Sequence, residues 1–361
     1  MSVLLLRADA DGTIGTGHAM RCLALGRAWI ALGGRAVWAT IDPPPGIAAR
    51  YAEAGIARAD LPAAADPAEA GRALVAVARD CAARAVMLDG AAFGEAEEAA
   101  LACTGLVVAA MDDEAMRSRF AAHLIVNPNL HADPAAYAAC APGAKRLCGP
   151  DYAMLRPEFA GPHPPRVIDG PAQSLLVALG GADTTRMTER LAAELVAQGV
   201  TRRLRVTVVV GAANPRAAAV RAALAGQGEL VVDVREMRPL MAAADLALTS
   251  GGSAVWEMAC TGLPTLIGAT VPVEQRVGEA AAAAGAARWL GWFEVVGPAQ
   301  AVAAVDRLAD DTWALASLSA RAQRLVDGRG AERVAEAIAD LIDGRRDRLQ
   351  PCSRPRRRLW A

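Results

Sequence analysis

The chain has 361 residues and a formal net charge of −1; 54% of its residues are hydrophobic and 21% are charged. This composition excludes a disordered or collagen-like chain, and the near-zero charge argues against a general nucleic-acid-binding protein, which needs a strongly basic surface. At about 150 residues per domain, the length predicts two domains.

Membrane insertion and secretion are not expected from the sequence. No apolar run reaches the ~20 residues that a membrane-spanning helix needs, and the N-terminal run covers only residues 3–6 without a basic segment before it. We therefore expect no membrane partner and a cytoplasmic location. The seven cysteines form no Cys-x-x-Cys pair, which favours reduced thiols over a disulfide framework or a zinc site.

The first half of the chain alternates short apolar runs with helical stretches. Strands are predicted at residues 3–6, 35–40, 85–89, 105–112 and 124–127. A glycine-containing loop at 9–18 separates the first strand from a helix over about 19–32. Strands that alternate with helices of ~10–15 residues indicate a parallel sheet covered on both faces.

A proline-rich break precedes a second, similar alternation. Residues 161–171 carry Gly-Pro-His-Pro-Pro and Gly-Pro, and strands follow at 174–179, 205–211, 230–233 and 245–250. We predict an N-terminal α/β domain over 1–160, a linker over 161–172, a C-terminal α/β domain over 173–343 and an arginine-rich tail over 344–361. The tail is expected to be disordered, with a basic arm for an anionic partner as the alternative.

The loop at 9–18 carries the first candidate site. Its glycines let the backbone approach a ligand closely, and His18 stands where the following helix begins. The positive end of the helix dipole disfavours an imidazolium, so a neutral His18 is predicted to act as a general base; a packing or capping role is the alternative. We assign Asp11, Gly15, Gly17 and Arg21 of this segment to substrate binding.

A second candidate site follows the strand at 245–250. Gly251, Gly252 and Ser253 form a turn before a helix, and their amides are predicted to bind phosphate. Glu257, one helical turn later, is predicted to accept the two hydroxyls of a ribose. Together these groups predict a nucleoside diphosphate site.

A third glycine pair follows the strand at 174–179. Gly180 and Gly181 end that strand and are predicted either to line the cleft near the phosphates or to form a simple tight turn. Ligands of open α/β sheets bind outside the carboxyl ends of the strands, so the expected site is a cleft between the two domains.

Several segments resemble the nucleotide-sugar hydrolases of pseudaminic acid biosynthesis, whose products serve flagellin and surface glycans. The similar segments include Gly-Thr-Gly-His-x-Met-Arg-Cys at 15–22, Asn-Pro-Asn at 127–129, Tyr-x-x-Leu-Arg-x-Glu-Phe at 152–159 and Gly-Gly-Ser-x-x-x-Glu at 251–257. These enzymes convert UDP-2,4-diacetamido-2,4,6-trideoxy-β-L-altropyranose to the free sugar and UDP. The chain departs from their pattern at Asp89-Gly90-Ala91, where they carry Asp-His-Tyr, and at Glu274-Gln275, where they commonly carry Asn-Gln.

The resemblance implies two Rossmann-like domains facing a cleft, the glycosyltransferase-B architecture, and a UDP-sugar hydrolase. It makes His18 the catalytic base, assigns Glu274 and Gln275 to substrate binding, and assigns UDP binding to Gly180, Gly181, Gly251, Gly252, Ser253 and Glu257. No metal or cofactor is expected, because the four histidines show no ligand spacing. A UDP-sugar-dependent glycosyltransferase and an inactive nucleotide-sugar-binding protein are the alternatives.

Overall fold

A computed structural model describes residues 2–11, 14–64, 66–90, 93–161, 163–180, 183, 185–211 and 214–349, with side chains described up to residue 344. The N-terminal unit comprises β1 (Val3–Arg7), α1 (Gly17–Ala31), β2 (Arg35–Thr40), α2 (Pro45–Glu53), β3 (Ala57–Asp60), α3 (Pro67–Asp80), β4 (Ala83–Leu88), α4 (Glu95–Ala102), β5 (Val107–Met111), β6 (Leu124–Asn127) and β7 (Lys145–Cys148). The C-terminal unit comprises β8 (Ser174–Ala178), α5 (Met187–Ala197), β9 (Arg205–Val210), α6 (Ala217–Ala223), β10 (Glu229–Val232), α7 (Arg238–Ala243), β11 (Leu246–Ser250), α8 (Ala254–Cys260), β12 (Thr265–Ala269), α9 (Pro272–Ala283), β13 (Arg288–Trp292), α10 (Phe293–Ala309), α11 (Thr312–Gln323) and α12 (Gly330–Leu349).

In the described residues, the strands form two parallel sheets. The first has the order β3-β2-β1-β4-β5-β6-β7 and the second the order β10-β9-β8-β11-β12-β13. Buried apolar side chains cover both faces of each sheet, because the central strands are apolar along their whole length. The prediction of two Rossmann-like domains is confirmed.

Each sheet has one point where the strand order reverses direction. It lies between β1 and β4 in the first sheet and between β8 and β11 in the second. Loops on either side of such a point diverge and leave a crevice at the carboxyl ends of the strands. The loop that leads to His18 and the turn at Gly251–Ser253 both begin at these points.

Four strands were not predicted from the sequence: β3, β7, β12 and β13. Three of them lie at sheet edges, and β3 (Ala-Arg-Ala-Asp) and β7 (Lys-Arg-Leu-Cys) carry charged residues. An edge strand needs only one buried side and so lacks the continuous apolar run that marks a central strand.

The last helix returns to the N-terminal unit. Side chains of α12, including Val334, Ile338 and Ile342, pack with α1 in the core of the first sheet. The segment that leads back into α12 packs on the segment that leaves the N-terminal unit. A Cβ on Gly328 would lie 2.2 Å from the carbonyl oxygen of Phe159, and a Cβ on Gly330 would lie equally close to the carbonyl oxygen of Ala153. The predicted domain boundary at 343 therefore falls inside α12, and residues 350–361 of the predicted tail lie outside the described residues.

Contacts on both sides of the cleft join the two domains. On one side, the Arg50 guanidinium of α2 donates to the carbonyls of Val234 and Arg235, at 3.2 and 3.3 Å. On the other side, Arg276 of α9 donates to the carbonyl of Glu114 at 2.9 Å. Between them, a Cβ on Gly17 would lie 3.9 Å from the Ser253 Oγ. The two glycine-containing segments predicted from the sequence thus face each other across the domain interface.

The length and polarity of the helices bear on membrane insertion. Of the helices that the structure describes, none combines the length and the apolar character needed to cross a bilayer.

We predict that the C-terminal helix stabilises the N-terminal domain. The Ile338→Ala variant should lower the free energy of unfolding by about 2–4 kcal/mol, because it leaves a cavity in a fully buried site. Urea unfolding followed by tryptophan fluorescence measures this change. Asp340→Ala, an exposed position on the same helix, is the control; equal effects of the two variants would contradict the packing role.

Candidate active site

The loop before α1 is held by its own hydrogen bonds. The Asp11 carboxylate accepts from the Ile14 amide at 2.7 Å, and the Gly15 amide donates to the Asp11 carbonyl at 3.1 Å. Gly15 has φ +75°, a conformation that favours glycine. These bonds hold Asp11 next to Ile14 and Gly15, two residues before α1 begins at Gly17. Gly12 and Thr13 lie outside the described residues.

His18 pairs with a buried aspartate at the end of the neighbouring strand β4. The His18 Nδ1 lies 2.8 Å from the Asp89 Oδ1, and the Asp89 side chain has no exposed surface. A carboxylate only accepts hydrogen bonds, so in the neutral imidazole Nδ1 carries the proton and Nε2 carries the lone pair. This is the tautomer that a general base requires, and the histidine side chain keeps 27% of its surface exposed.

Arg21 lies one helical turn after His18 and bridges two carboxylates. Its Nε and Nη2 donate to Asp89 at 3.0 and 2.7 Å, and its Nη1 and Nη2 donate to Asp113 at 2.8 and 2.9 Å. Both hydrogens of Nη2 are thereby donated to carboxylates. Nη2 also lies 3.0 Å from the His18 Nδ1, but it has no hydrogen left to donate there, so Nδ1 can remain the donor to Asp89. In the structure Arg21 holds Asp89 and Asp113, and its predicted contact with substrate stays a prediction.

The charges of Arg21, Asp89 and Asp113 stabilise one another. Burial lowers the pKa of the Arg21 guanidinium, but Asp113 and Asp89 outweigh it and hold that pKa well above its usual value. Burial raises the pKa of the Asp113 carboxyl, but Arg21 outweighs it and holds that pKa below its usual value. Arg21 and Asp113 therefore stay charged over the whole physiological range of pH.

Asp112 and Asp113 have separate tasks, although they are neighbours. The Asp112 carboxylate accepts from the amides of Glu114 and Ala115 and from the Tyr137 hydroxyl. Asp113 faces Arg21 instead. The first aspartate therefore fixes the turn, and the second holds the arginine.

The Asn-Pro-Asn segment after β6 extends the same network. Asn129 is buried, and its Nδ2 lies 3.3 Å from both the carbonyl and the Oδ1 of Asp113. Asn127 accepts from the Asn129 amide at 3.1 Å. Asp89, Asp113 and Asn129 were not predicted as site residues. The available signal was polar residues that directly follow neighbouring parallel strands.

The opposite wall of the cleft is formed by the turn after β11. Gly252 and Ser253 are exposed there, and Ser253 precedes α8 without a side-chain capping bond. Gly251 packs closely on the backbone of α9, because a Cβ on it would lie 2.3 Å from the carbonyl oxygen of Glu274. Gly180 follows the adjacent strand β8 with φ +93°, and Gly181 lies outside the described residues. Phosphate binding by these positions stays a prediction.

Glu257 is engaged before any ligand binds. Its two carboxylate oxygens accept from Arg156, at 2.7 Å from Nε and through a second bond from Nη2, and both side chains are largely buried. A carboxylate offers about four lone-pair positions, so Glu257 retains capacity for ribose hydroxyls. Arg156 belongs to the Tyr-x-x-Leu-Arg-x-Glu-Phe segment and comes from the end of the N-terminal half.

The remaining two predicted substrate contacts also have structural partners. The Glu274 Oε2 caps the start of α9 and accepts from the Thr270 amide at 2.7 Å. The Gln275 Oε1 accepts from the Trp292 indole at 2.8 Å, and its Nε2 donates to Glu279. Their substrate contacts stay predictions. Throughout the part of the chain that the structure describes, no three His, Cys, Asp or Glu side chains are arranged to hold a metal ion.

Comparison with known proteins finds a similar protein of polysaccharide biosynthesis. No protein-family model matches it. It is 29% identical over 197 residues to the spore coat polysaccharide biosynthesis protein SpsG of Bacillus subtilis strain 168. The match covers 54% of this chain and 58% of SpsG, so the chain spans little more than half the length of that relative. The relationship to a sugar-biosynthetic protein that the sequence motifs indicated is confirmed at this level.

Solved structures identify the architecture. MurG of Acinetobacter baumannii superposes with a TM-score of 0.67 at 14% identity, over 94% of this chain and 100% of MurG. MnaA of S. aureus, solved with UDP, gives 0.66 at 13% identity, over 95% and 97%. The spinosyn rhamnosyltransferase SpnG, solved with thymidine diphosphate, gives 0.63 at 18% identity, over 93% and 100%. The fold is therefore the glycosyltransferase-B architecture.

We predict that Gly251 is required for packing, not only for ligand binding. Gly251→Ala forces its Cβ against the backbone of α9 and should lower the free energy of unfolding by about 1–3 kcal/mol. Gly252→Ala is the matched control, because the nearest atom to its Cβ is the Ser250 Oγ at 4.0 Å. Thermal unfolding of both variants measures the difference, and equal losses would contradict this role.

We predict that the contribution of Asp113 to the stability of the fold is lost in acid. Its folded pKa is depressed, so its stabilisation is present above the unfolded pKa of about 4 and is lost as the pH falls through the lower folded pKa. Asp113→Asn should destabilise the protein by about 2 kcal/mol at pH 7, and the difference from the wild type should shrink towards pH 3. Urea midpoints across this range test it; a difference independent of pH would contradict the ion pair.

Proposed function

We propose that this protein binds a UDP-sugar in the cleft between its domains and hydrolyses it to UDP and the free sugar. The observation that carries the proposal is the pairing of His18 with a buried aspartate, opposite the exposed Gly252–Ser253 turn. The first group is suited to activating water, and the second to binding a diphosphate. Both stand at the strand-order reversal of their sheets, where open α/β domains bind ligands.

In this proposal the nucleotide binds to the C-terminal domain. Backbone amides at 251–253 would hold the diphosphate, with Gly180 and Gly181 lining the same region. Glu257 would accept the ribose hydroxyls while Arg156 holds its other lone pairs. The UDP bound to MnaA and the thymidine diphosphate bound to SpnG, which share this architecture, support a nucleoside diphosphate as the ligand.

The chemistry follows from the tautomer of His18. Nε2 takes a proton from a water molecule, whose oxygen attacks the anomeric carbon. The bond between that carbon and the diphosphate oxygen breaks, and UDP leaves with the electron pair. Asp89 stabilises the imidazolium that forms. Turn amides stabilise the departing diphosphate. The products are the free sugar, UDP and one proton.

The sugar that we propose is the 2,4-diacetamido-2,4,6-trideoxy sugar of pseudaminic acid biosynthesis. The motifs around His18 and at 152–159 support this assignment and, with it, a precursor of flagellin glycans. The similarity to SpsG, a spore coat polysaccharide biosynthesis protein, supports a precursor of a surface polysaccharide. We place the protein in the cytoplasm, where nucleotide sugars are made.

A UDP-sugar-dependent glycosyltransferase is the second candidate. The architecture is shared with MurG and with a rhamnosyltransferase. Ile14 and Met116, on N-terminal-domain loops that border the His18 network, expose apolar side chains that would suit an apolar acceptor. In that case, His18 would deprotonate an acceptor hydroxyl instead of water, and the remaining geometry would serve both reactions.

We predict that purified protein releases UDP from UDP-2,4-diacetamido-2,4,6-trideoxy-β-L-altropyranose without metal or acceptor. His18→Ala should lower kcat at least about a hundredfold, because a general base contributes that much or more. UDP binding, measured by calorimetry, should be retained. The measurement is the rate of UDP release.

His163→Ala is the matched control, because His163 lies in the linker, where it bonds the Phe159 carbonyl, and the variant should retain full activity. UDP release only after addition of an acceptor sugar or lipid would favour the transferase. UDP binding without any turnover of wild-type protein would favour a binding protein and overturn the hydrolase.

A further inference from the structure

We propose that Arg276 is a positioning residue that couples the nucleotide-binding turn of the C-terminal domain to the orientation of His18. An unbroken series of described contacts joins the two. The inference rests on the proposed function for its meaning in catalysis, but the contacts themselves do not depend on which sugar is bound.

The series begins at the turn after β11. Gly251 lies against the backbone of Glu274, so closely that a Cβ would come within 2.6 Å of the Glu274 Cα. Glu274 caps the first turn of α9, and Arg276 lies on the next turn of that helix. Because backbone packs directly on backbone here, a shift of the turn by a bound diphosphate displaces the start of α9.

Arg276 carries the contact across the domain interface. Its Nη1 donates to the Glu114 carbonyl at 2.9 Å, and its Nη2 lies 3.8 Å from the Glu114 carboxylate. The ion pair is partly exposed and contributes little by itself. The bond to the carbonyl matters more, since it fixes the main chain directly after Asp113.

The segment at 112–115 behaves as one rigid turn. Asp112 accepts from the amides of Glu114 and Ala115 at 3.3 and 2.9 Å. Ala115 has φ +54°, a conformation that alanine adopts only when its surroundings impose it. A shift of the Glu114 carbonyl is therefore passed to the adjacent Asp113 instead of being absorbed by the loop.

Charge-assisted hydrogen bonds complete the series. Asp113 receives two bonds from Arg21, Arg21 gives two bonds to Asp89, and Asp89 receives the Nδ1 proton of His18. Such bonds are short and directional in a buried site. A change in the orientation of Asp113 thus changes the direction of the His18 lone pair. The base would be aligned for attack only while the C-terminal domain holds Glu114.

The test compares Arg276→Ala with Arg50→Ala in the full chain. Both remove an arginine that donates to main-chain carbonyls of the other domain, but only Arg276 leads to His18. The His18 ring signals are followed by nitrogen-15 NMR of histidine-labelled protein, with and without UDP, and are assigned through His18→Gln. UDP affinity, kcat and KM are measured in parallel.

Arg276→Ala should abolish the shift of the His18 ring signals that UDP causes in the wild type, and should lower kcat about ten- to a hundredfold through misalignment. UDP affinity should change less than about threefold. Arg276→Lys should recover part of kcat, because an ammonium also donates to the Glu114 carbonyl. Arg50→Ala should leave the signals and kcat unchanged. In an Asp113→Asn background, Arg276→Ala should cause little further loss.

Three outcomes overturn the coupling. They are a UDP-dependent shift of His18 that persists in Arg276→Ala, no UDP-dependent shift in the wild type, and equal effects of the two arginine variants. The NMR result is independent of turnover. The two proposals can therefore fail separately. If the wild-type protein does not hydrolyse the sugar, but Arg276→Ala loses the response of His18 to UDP, the proposed function is wrong and the coupling is supported.

Discussion

The buried guanidinium of Arg21 is the interaction on which the site depends. It holds Asp89 and Asp113, two carboxylates at the ends of neighbouring strands, within one hydrogen-bonded group. Without this cation, the two carboxylates would repel each other in a region of low dielectric. With it, Asp89 stays available to orient His18 and Asp113 stays available to fix the adjoining turn. Arg21 thus holds the aspartate that pairs with His18, the residue with which it shares one face of α1.

Strand order explains why these residues meet. β1 and β4 are neighbours although 75 residues separate Arg7 from Ala83 in sequence, and the chain leaves β1 in one direction and β4 in the other. The crevice between the two departures receives His18 from one side and Asp89 from the other. The same reversal between β8 and β11 exposes the turn at Gly251–Ser253. Two independent crevices become one cleft because α12 and the linker hold the domains face to face.

The departure at Gly90 has a structural counterpart within the same loop. A Cβ on Gly90 would lie 2.9 Å from the ring of Phe93, and that ring also lies 4.7 Å from the Arg7 guanidinium. Where the pseudaminic acid hydrolases carry histidine after the aspartate, this chain has a glycine that makes room for a phenylalanine. The exchange leaves the Asp89–His18 contact intact, so it alters the surroundings of His18 while His18 keeps its partner.

The sequence by itself determined the fold class, the two units and the segments that form the cleft walls. Short continuous apolar runs bounded by turn residues are typical of buried strands, and glycine-rich turns between a strand and a helix lie at the ends of such strands. The partners of each side chain were decided by tertiary structure alone. Asp89, Asp113 and Asn129 follow three different strands, and Glu257 meets an arginine from the other half of the chain. The crossing of α12 to the first domain was equally hidden, because an amphipathic helix shows which face is buried but not against which sheet. Strand order and domain packing decide which of these side chains meet, and the local pattern of residues predicts neither of them.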